Sequence, residues 1–584
     1  MTEKPQQKTA MPDHIENLDR TYADIDVVEL THQNPYREVN FIGTYIAALL
    51  ACSANFSGFI MPVTALGLIE AELGASPNAV WISLGWVLLS GVSFVLLGRL
   101  SDIFGRRWFF TGSTLLSLVG AIIGATAQNI NVLIAASVFL GMGSAGQISF
   151  NYSVGELVPI RHRFAANGII YFFSLPFSGL GPYIARLLIV QSSAGWRGIY
   201  YLVCGLDAAA AILWLLFYHP PDFQHLHRDR TLSDELKELD LGGIILYVAG
   251  FFLFLLGLAW GGSVYPWTSA YVLAPLIIGF AVLVAFVLYE SLMDLRRPLI
   301  PMHLFRQLDF VLMNVLSAVG GVVYYGANTL FPYMVGSLYT SDPIKGGLVA
   351  SCIGAGVCAG QTIGSWIAVP GGHMKLKLIV ISSGLCAFVA ALSGATDSQA
   401  IGSALAVCAG LMVGLLEVIV STIVTIVIAD QSEIGAAAGV FGSIRSLAGV
   451  LATAIYLSVL MNKLKEFTAS DVVPAVVQAG VPSASIPGFL AALAQGDIAA
   501  LQSVPGVTTQ AIEVGVATLR EAYAKTFKIV WLGTLAFGLL AVAASCFTKD
   551  LDEKLSHDVV RRLGINKNIE DAEKLGDEKE VRSE

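Results

Sequence analysis

The feature that most constrains the fold is a series of long apolar runs. A helix that crosses a bilayer needs about 20 predominantly apolar residues and satisfies its own backbone hydrogen bonds. The sequence therefore predicts an all-α polytopic membrane protein with fourteen transmembrane helices, numbered spans 1 to 14. The runs lie near 41–62, 80–98, 108–127, 132–150, 168–190, 198–218, 241–261, 271–289, 310–335, 346–369, 376–395, 401–429, 435–461 and 527–547.

The composition supports a membrane protein and argues against several other classes. Hydrophobic residues make up 55% of the chain and charged residues 13%, whereas soluble domains carry roughly 25% charged residues. The net charge of -9 arises mainly in the polar tails, so it predicts no nucleic-acid partner. The seven cysteines lie in or beside apolar runs without metal-ligand spacing. With no His or Cys cluster and no phosphate loop, the sequence predicts no metal, no cofactor and no enzyme activity.

Polar breaks divide the spans into groups of six, two and six. The predicted segments are a cytoplasmic tail 1–40, a first half 41–218, a linker 219–240, two additional helices 241–289, a second linker 290–309, a second half 310–547 and a cytoplasmic tail 548–584. The second half contains a long outer loop, 462–525, whose Ala-rich pieces predict short helices. A linker and a lid over the outer mouth are both open interpretations of this loop.

Lys and Arg in the short loops predict the orientation. With a cytoplasmic N-terminus, the inner loops and their edges hold thirteen basic residues, whereas the outer short loops hold only Arg197 and Lys345. Positive residues favour the cytoplasmic side, and an even number of spans then places both termini there. No apolar run precedes Phe41, so we expect no cleavable signal peptide.

The loop between spans 2 and 3, Gly98 to Arg107, is the most informative short motif. Arg99, Arg106 and Arg107 surround a single acid, Asp102, and such a set belongs at a membrane face rather than in lipid. An ordinary positive cytoplasmic loop would carry the same charge, so the spacing of glycines and charges is the distinguishing feature. We expect a conformational latch whose members are Gly98, Asp102, Gly105, Arg106, Arg107, Glu156 and Arg163.

Few charged residues fall inside the predicted helices. A charge near the middle of a membrane helix costs roughly 2.5 to 3.5 kcal/mol on insertion scales and usually faces a partner or a cavity. Asp207 in span 6, Glu417 in span 12 and Arg445 in span 13 are the candidates for proton coupling. A purely structural ion pair between Glu417 and Arg445 is the alternative. Arg186, near the outer end of span 5, is expected to extend to the surface.

The remaining spans carry little charge, so a molecule bound between them is expected to be bulky and largely apolar. Sites for small ligands are mainly apolar with a few oriented polar groups. Most aromatic residues in membrane helices pack or anchor at the interface, so each candidate competes with that role. The candidate cavity residues are Tyr171, Phe172, Phe173, Tyr324, Tyr325, Asn328, Gln361 and Trp366.

The motif G-x-L-x-D-x-x-G-R-R at Gly98 to Arg107 resembles the signature loop of the major facilitator superfamily. The stretch from about Ala65 to Leu460 resembles the fourteen-helix drug:proton antiporter branch. Segments including Glu156 to Gly168, Trp260 to Trp267 and Pro298 to Phe305 resemble the fungal trichothecene efflux pump family. This resemblance implies two six-helix halves plus two central helices, and proton-driven export of a toxin, drug or secondary metabolite.

The same resemblance implies a monomer in the fungal plasma membrane, with the vacuolar membrane as an alternative. Siderophore-iron uptake and a transporter-like sensor are the competing functions. The sequence departs from the antiporter pattern where an acid in span 1 and an Arg in span 4 are usual, because Gly58 and Ser137 occupy these positions. The span 5 motif keeps Gly181 and Pro182 but ends in Ala185-Arg186. Facilitated diffusion therefore remains open.

Overall fold

The computed structural model describes residues 39–74, 76–104, 106–149, 160–218, 240–261, 264–293, 298–367, 372–427, 434–495 and 498–549. These ranges are helical apart from connecting turns and one isolated bridge between Gly261 and Tyr265. The helices are α1 Val39–Thr64, α2 Leu66–Leu73, α3 Trp81–Phe104, α4 Arg106–Ala125, α5 Ile130–Ile148, α6 Ile160–Ser178, α7 Gly181–Gln191, α8 Arg197–Phe217, α9 Leu241–Trp260, α10 Ala270–Leu292, α11 Leu308–Met334, α12 Pro343–Ile367, α13 Met374–Ala391, α14 Gln399–Val427, α15 Ile434–Phe467, α16 Val473–Gln478, α17 Ile486–Gln495, α18 Ile498–Ser503, α19 Thr509–Gly533 and α20 Leu535–Phe547.

The prediction of an all-α membrane protein is confirmed. Thirteen helical stretches in the described residues are long and apolar enough to cross a membrane. Span 2 corresponds to α3, but its described apolar part, Trp81–Leu96, is shorter than these. The exact number of fourteen therefore stays a prediction.

Span 5 is two helices rather than one. The helix α6 ends at Ser178, and α7 begins at Gly181 with Pro182 in its first turn. Proline has no backbone N–H and is tolerated at a helix start, so the break falls where the Gly-Pro pair begins a new helix. The break also allows close packing, because a Cβ built on Gly354 of α12 would lie 2.6 Å from the carbonyl oxygen of Ser178.

Most of the predicted outer loop 462–525 is helical. The helix α15 continues to Phe467, and α19 begins at Thr509, well before the predicted start of span 14. The side chain of Thr508 caps α19 by accepting a hydrogen bond from the Ala511 N–H at 3.2 Å. Residues 468–533, named the helical cap, contain a separate apolar cluster made of Val472, Val476, Val481, Phe489, Ala492, Leu493, Leu501, Ala511 and Ala522.

The helical cap is attached to the second half. Arg520 donates a hydrogen bond to the Leu338 carbonyl at 2.9 Å, directly beyond α11. The indole N–H of Trp531 donates to the sulfur of Met334 at 3.3 Å. A salt bridge of 2.7 Å between Lys525 and Asp471 closes the cap on itself. These contacts fix the cap to the second half.

The two halves meet along two seams. In one, α3 packs against α15, where a Cβ on Gly91 would lie 3.0 Å from Leu447. In the other, α6 and α7 pack against α12, with a hydrogen bond of 3.2 Å from the Tyr183 N–H to Ser351. A central contact joins α1 to α11, because the rings of Phe59 and Tyr325 meet edge to face at 5.4 Å.

The two additional helices form a hairpin beside the first seam. The backbones of α9 and α10 approach closely, since a Cβ on Gly279 of α10 would overlap the backbone of Phe254. The helix α9 contacts both halves: Phe252 packs near Trp81 of α3, with ring centroids 6.2 Å apart. On the other side, Tyr247 and Ser443 of α15 share a hydrogen bond of 2.5 Å.

Candidate functional site

Paired glycines fix the distance between α12 and α14. Both helices carry a Gly-x-x-x-Gly pattern, and small residues at this spacing allow helix backbones in membranes to touch. A Cβ on Gly360 would overlap the carbonyl oxygen of Leu411, and one on Gly414 would overlap the carbonyl oxygen of Val357. Gly356 and Gly410 make equivalent backbone contacts one turn away. The contact between α12 and α14 therefore has no room for a side chain.

This contact brings Gln361 next to Glu417. The amide nitrogen of Gln361, which follows Gly360 in α12, donates to Glu417 Oε2 at 2.7 Å. Glu417 lies three residues after Gly414 in α14 and is 13% exposed. Its other oxygen forms a salt bridge with Nη2 of Arg445 in α15, and the Arg445 side chain is 15% exposed. Three helices of the second half thus converge on one carboxylate.

A second glycine contact positions Arg445. A Cβ on Gly321 of α11 would overlap the Arg445 carbonyl oxygen, so α11 and α15 lie backbone to backbone. The guanidinium carbon lies 5.1 Å from the ring centroid of Tyr324 and 5.4 Å from that of Tyr325. Arg445 Nη1 also donates to the Tyr325 hydroxyl at 3.4 Å. Cation–π and ionic contacts hold the guanidinium between the carboxylate and two aromatic rings.

Phe59 links this cluster to the first half. Its ring contacts Tyr325 of α11 and also packs on Trp86 of α3, with centroids 4.6 Å apart. The ring of Tyr325 therefore contacts both Arg445 and Phe59. Glu417, Arg445, Gln361, Tyr324 and Tyr325 are named the central cluster.

The structure places the third charged candidate elsewhere. Asp207 of α8 is fully buried and accepts hydrogen bonds from Ser117 of α4 at 2.7 Å and from Gln147 of α5 at 2.6 Å. Each of its carboxylate oxygens has a partner within the first half. Asp207 connects three helices of one half and is not part of the central cluster.

The two positions that depart from the antiporter pattern are uncharged and packed within their own half. A Cβ on Gly58 would contact Leu140 at 3.5 Å, and Ser137 donates to the Leu133 carbonyl at 3.0 Å. Sequence reasoning gave no role to Asn55, one turn before Gly58. Its side chain is 3% exposed, and both amide atoms lack a hydrogen-bond partner among the described protein groups. The only signal for Asn55 in the sequence is that it is a single amide side chain within a largely apolar run.

The candidate cavity residues separate into buried and exposed groups. Asn328 is buried, but its amide donates to the Tyr324 carbonyl of the preceding turn at 2.8 Å. Tyr171 is buried too, outside the contacts described for the central cluster. By contrast, Phe172, Phe173 and Trp366 are 57%, 54% and 59% exposed. The structure does not bring these three into the cluster, since neighbouring residues in a helix point in different directions.

Arg186 does not extend to the surface as expected. Its guanidinium donates to the Pro343 carbonyl at 3.3 Å and the Thr64 carbonyl at 3.4 Å. Thr64 ends α1 in the first half, and Pro343 begins α12 in the second. Gly346 provides the space, because a Cβ there would overlap Arg186 Nη1. Arg186 therefore joins the two halves at the end of the bundle predicted to face outward.

We predict that Arg186→Gln loosens this outer contact. Each hydrogen bond from a charged group is worth about 1.5 to 3 kcal/mol, so the equilibrium should shift toward states open at that end. Cysteine introduced at Ser351 should then react faster with a polar maleimide added from outside. The matched variant Arg197→Gln removes a surface salt bridge to Glu72 instead and should leave the labelling rate unchanged. Equal labelling in all three proteins would contradict the prediction.

The predicted latch is only partly visible. Gly98 and Asp102 lie in α3, Arg106 in α4 and Arg163 in α6, but their side chains fall outside the described residues, as do Gly105 and Glu156 altogether. Arg107 donates to the Leu215 carbonyl of α8 at 2.6 Å and lies 5.7 Å from the centroid of the Trp108 ring. The latch itself stays a prediction.

Comparison with known proteins identifies the family. The sequence model of the fungal trichothecene efflux pump (TRI12) matches residues 17–583. The trichothecene efflux pump TRI12 of Fusarium sporotrichioides is 30% identical, with 91% of this chain and 90% of that protein covered. The MFS-type transporter prx5 of Penicillium rubens is 28% identical, with 88% and 93% covered.

Solved structures support the fold. The MFS proton:xylose symporter XylE has a TM-score of 0.51 at 14% identity, covering 88% of this chain and 98% of that one. The human organic anion transporter MFSD10 has a TM-score of 0.51 at 13% identity, covering 74% and 95%. These identities carry the fold alone, whereas the family match extends over nearly the whole sequence. The resemblance predicted from the sequence is confirmed: the chain is a non-enzymatic membrane transporter of the major facilitator superfamily and belongs to the fungal trichothecene efflux pump family.

Proposed function

We propose that this protein exports a bulky, largely apolar organic compound, of the toxin or secondary-metabolite type, by alternating access coupled to proton influx. It acts as a monomer in the fungal plasma membrane. The family match supports export, since relatives carry the names of efflux pumps. The observation that carries proton coupling is the ion pair between Glu417 and Arg445.

The chemistry of the central cluster suits a proton carrier. A proton on Glu417 removes its negative charge and weakens the salt bridge, while Gln361 can still bond the neutral carboxyl. Arg445 keeps its contacts with the two tyrosine rings. Because Tyr325 also touches Phe59 of the first half, a change at Glu417 can alter how the halves meet. Two arrangements that differ in proton occupancy are what coupled alternating access requires.

Unpaired neutral groups support an organic substrate. Asn55, the Tyr324 hydroxyl and the Gln361 amide oxygen are buried without a hydrogen-bond partner among the described protein groups. A buried polar group without a partner costs roughly 1 to 3 kcal/mol, and a ligand with hydroxyl or carbonyl groups would supply partners. We propose these three as substrate contacts. Asp207, whose oxygens are already bonded, is a weaker candidate for coupling.

Inside-out vesicles test the direction and the coupling together. With a trichothecene as the labelled probe, an acidic lumen should drive uptake by the wild-type protein, because this orientation turns export into accumulation. Glu417→Gln keeps the contact with Gln361 but cannot lose a proton, so its transport should not respond to the gradient. A gradient response equal to that of the wild type would contradict coupling through Glu417.

A matched control and a competing substrate complete the experiment. Glu513→Gln neutralises an exposed carboxylate of the helical cap and should keep the full gradient response. In intact cells, expression of the protein should lower the cellular content of the labelled compound. Higher content of a labelled ferric siderophore, with no effect on the trichothecene, would favour uptake instead. Fluorescent fusion protein at the vacuole rather than the cell surface would correct the location.

A further inference from the structure

A pair of acidic side chains lies at the end of the hairpin opposite its outer turn. Asp240 directly precedes α9, and Glu290 lies in the last turn of α10. These ends face the side predicted to be cytoplasmic. Both residues are more than nine-tenths buried, at 8% and 6% exposure. Carboxylates at such burial need partners, because isolated buried charges are costly.

Each carboxylate has partners on only one oxygen. Asp240 Oδ1 accepts from the Gly243 N–H at 2.8 Å and from the Tyr289 hydroxyl at 3.0 Å. Glu290 Oε1 accepts from the Leu299 N–H at 2.9 Å. The other oxygens, Asp240 Oδ2 and Glu290 Oε2, are buried and have no partner among the described groups. Three donors thus fix the two carboxyl groups but leave a bare oxygen on each.

The two carboxyl groups face each other. Asp240 Oδ2 and Glu290 Oε1 both border the space that a Cβ on Gly243 would occupy, since such a Cβ would overlap Asp240 Oδ2 and lie 2.9 Å from Glu290 Oε1. The two oxygens therefore lie close together. Among the described residues, the Tyr289 hydroxyl is the titratable group bonded to the pair, and no salt bridge joins either carboxyl group to a lysine or arginine. Two ionised carboxylates in this position repel, whereas one proton between them forms a strong hydrogen bond.

We propose that Asp240 and Glu290 hold one proton between them and form a proton-binding site on the cytoplasmic side, separate from Glu417. The proton ties the start of α9 to the end of α10. Through Leu299, it also ties the hairpin to the segment that leads into α11. The helix α9 contacts α3 and α15 on both sides of a seam between the halves. Loss of the proton in an alkaline cytoplasm therefore weakens the hairpin that contacts both halves.

Infrared spectroscopy of the purified full-length protein tests the site without any transport. The wild type should show a protonated carboxyl band near neutral pH that disappears when the sample is titrated to about pH 9. Glu290→Gln should lack this band but stay folded, because its amide can donate to Asp240. Glu417→Gln and Glu513→Gln should keep the band. Since no substrate is involved, a failure of the proposed export function would leave these results intact.

Thermal unfolding in detergent provides a second measurement. The melting temperature of the wild type should fall between about pH 6 and pH 9, because deprotonation leaves two carboxylates in contact, and that of Glu290→Gln should fall less. A wild type without the band would overturn the proposal. So would Mn²⁺ raising the melting temperature of the wild type but not of Glu290→Gln, which would indicate a metal site. A band that appears only after Arg296→Gln and Arg297→Gln would indicate arginine partners instead and would also overturn it.

Discussion

Gly360→Leu is expected to abolish the folded protein. The residue lies where α12 and α14 touch backbone to backbone, and the new side chain would have to occupy the position of the Leu411 carbonyl. No rotamer relieves this overlap, so the helices must separate and the bond between Gln361 and Glu417 must break. Overpacking costs typically 1 to 3 kcal/mol and occasionally more, and we expect more than about 3 kcal/mol here. Fluorescence-detected size exclusion should show loss of the monodisperse peak.

The same substitution at an open position is the control. Gly205 lies in α8 with no atom within 4 Å of a Cβ and is exposed. Gly205→Leu should therefore keep the peak and gain slightly in helix stability, since glycine is disfavoured in helices by up to about 1 kcal/mol. A folded, active Gly360→Leu protein would show that the close contact between α12 and α14 is not required.

Arg445→Ala should cause the second large loss. It leaves Glu417 partly buried and unpaired, and removes the cation from between Tyr324 and Tyr325. Breaking a buried ion pair from one side costs about 3 to 5 kcal/mol. Because both side chains keep some exposure, we expect the cost of Arg445→Ala to lie near the lower end of this range. Thermal unfolding and vesicle transport should both show the loss.

A double-mutant cycle separates the pair from the rest of the site. Arg445→Met combined with Glu417→Gln removes both charges, so it should be more stable than Arg445→Ala while remaining unresponsive to the proton gradient. Arg445→Lys should recover stability only in part, because lysine lacks the planar group that stacks on the tyrosines. If the destabilisation of the double variant equals the sum of those of Arg445→Met and Glu417→Gln alone, the salt bridge contributes nothing to stability.

The sequence predicts helices here better than it predicts their faces. Span positions follow from the length of apolar runs, and most were placed within a few residues of the observed helices. However, lipid-facing and buried positions of a membrane helix are both apolar, so the pattern that reveals the core side of a soluble helix is missing. For this reason Phe172, which is exposed, and Tyr171, which is buried, were equivalent candidates.

Charged residues gave a clearer signal than apolar ones. Glu417 and Arg445 were notable because a charge in an apolar run needs a partner, and the structure pairs them. The sequence could not rank them above Asp207, since only the structure shows which carboxylate is satisfied inside one half. The helix α19 was missed before residue 527 because Arg520, Glu521 and Lys525 interrupt its apolar character, although helix formation does not depend on hydropathy alone.

The position of the hairpin has a consequence for how a lipid-soluble compound reaches the transporter. Because α9 lies against both α3 and α15, it stands between the bilayer and one of the two seams. A solute diffusing laterally in the membrane meets the hairpin there instead of the gap between the halves. Entry from the lipid would then favour the opposite side, along α6, α7 and α12. The transporter would have a single preferred side of approach.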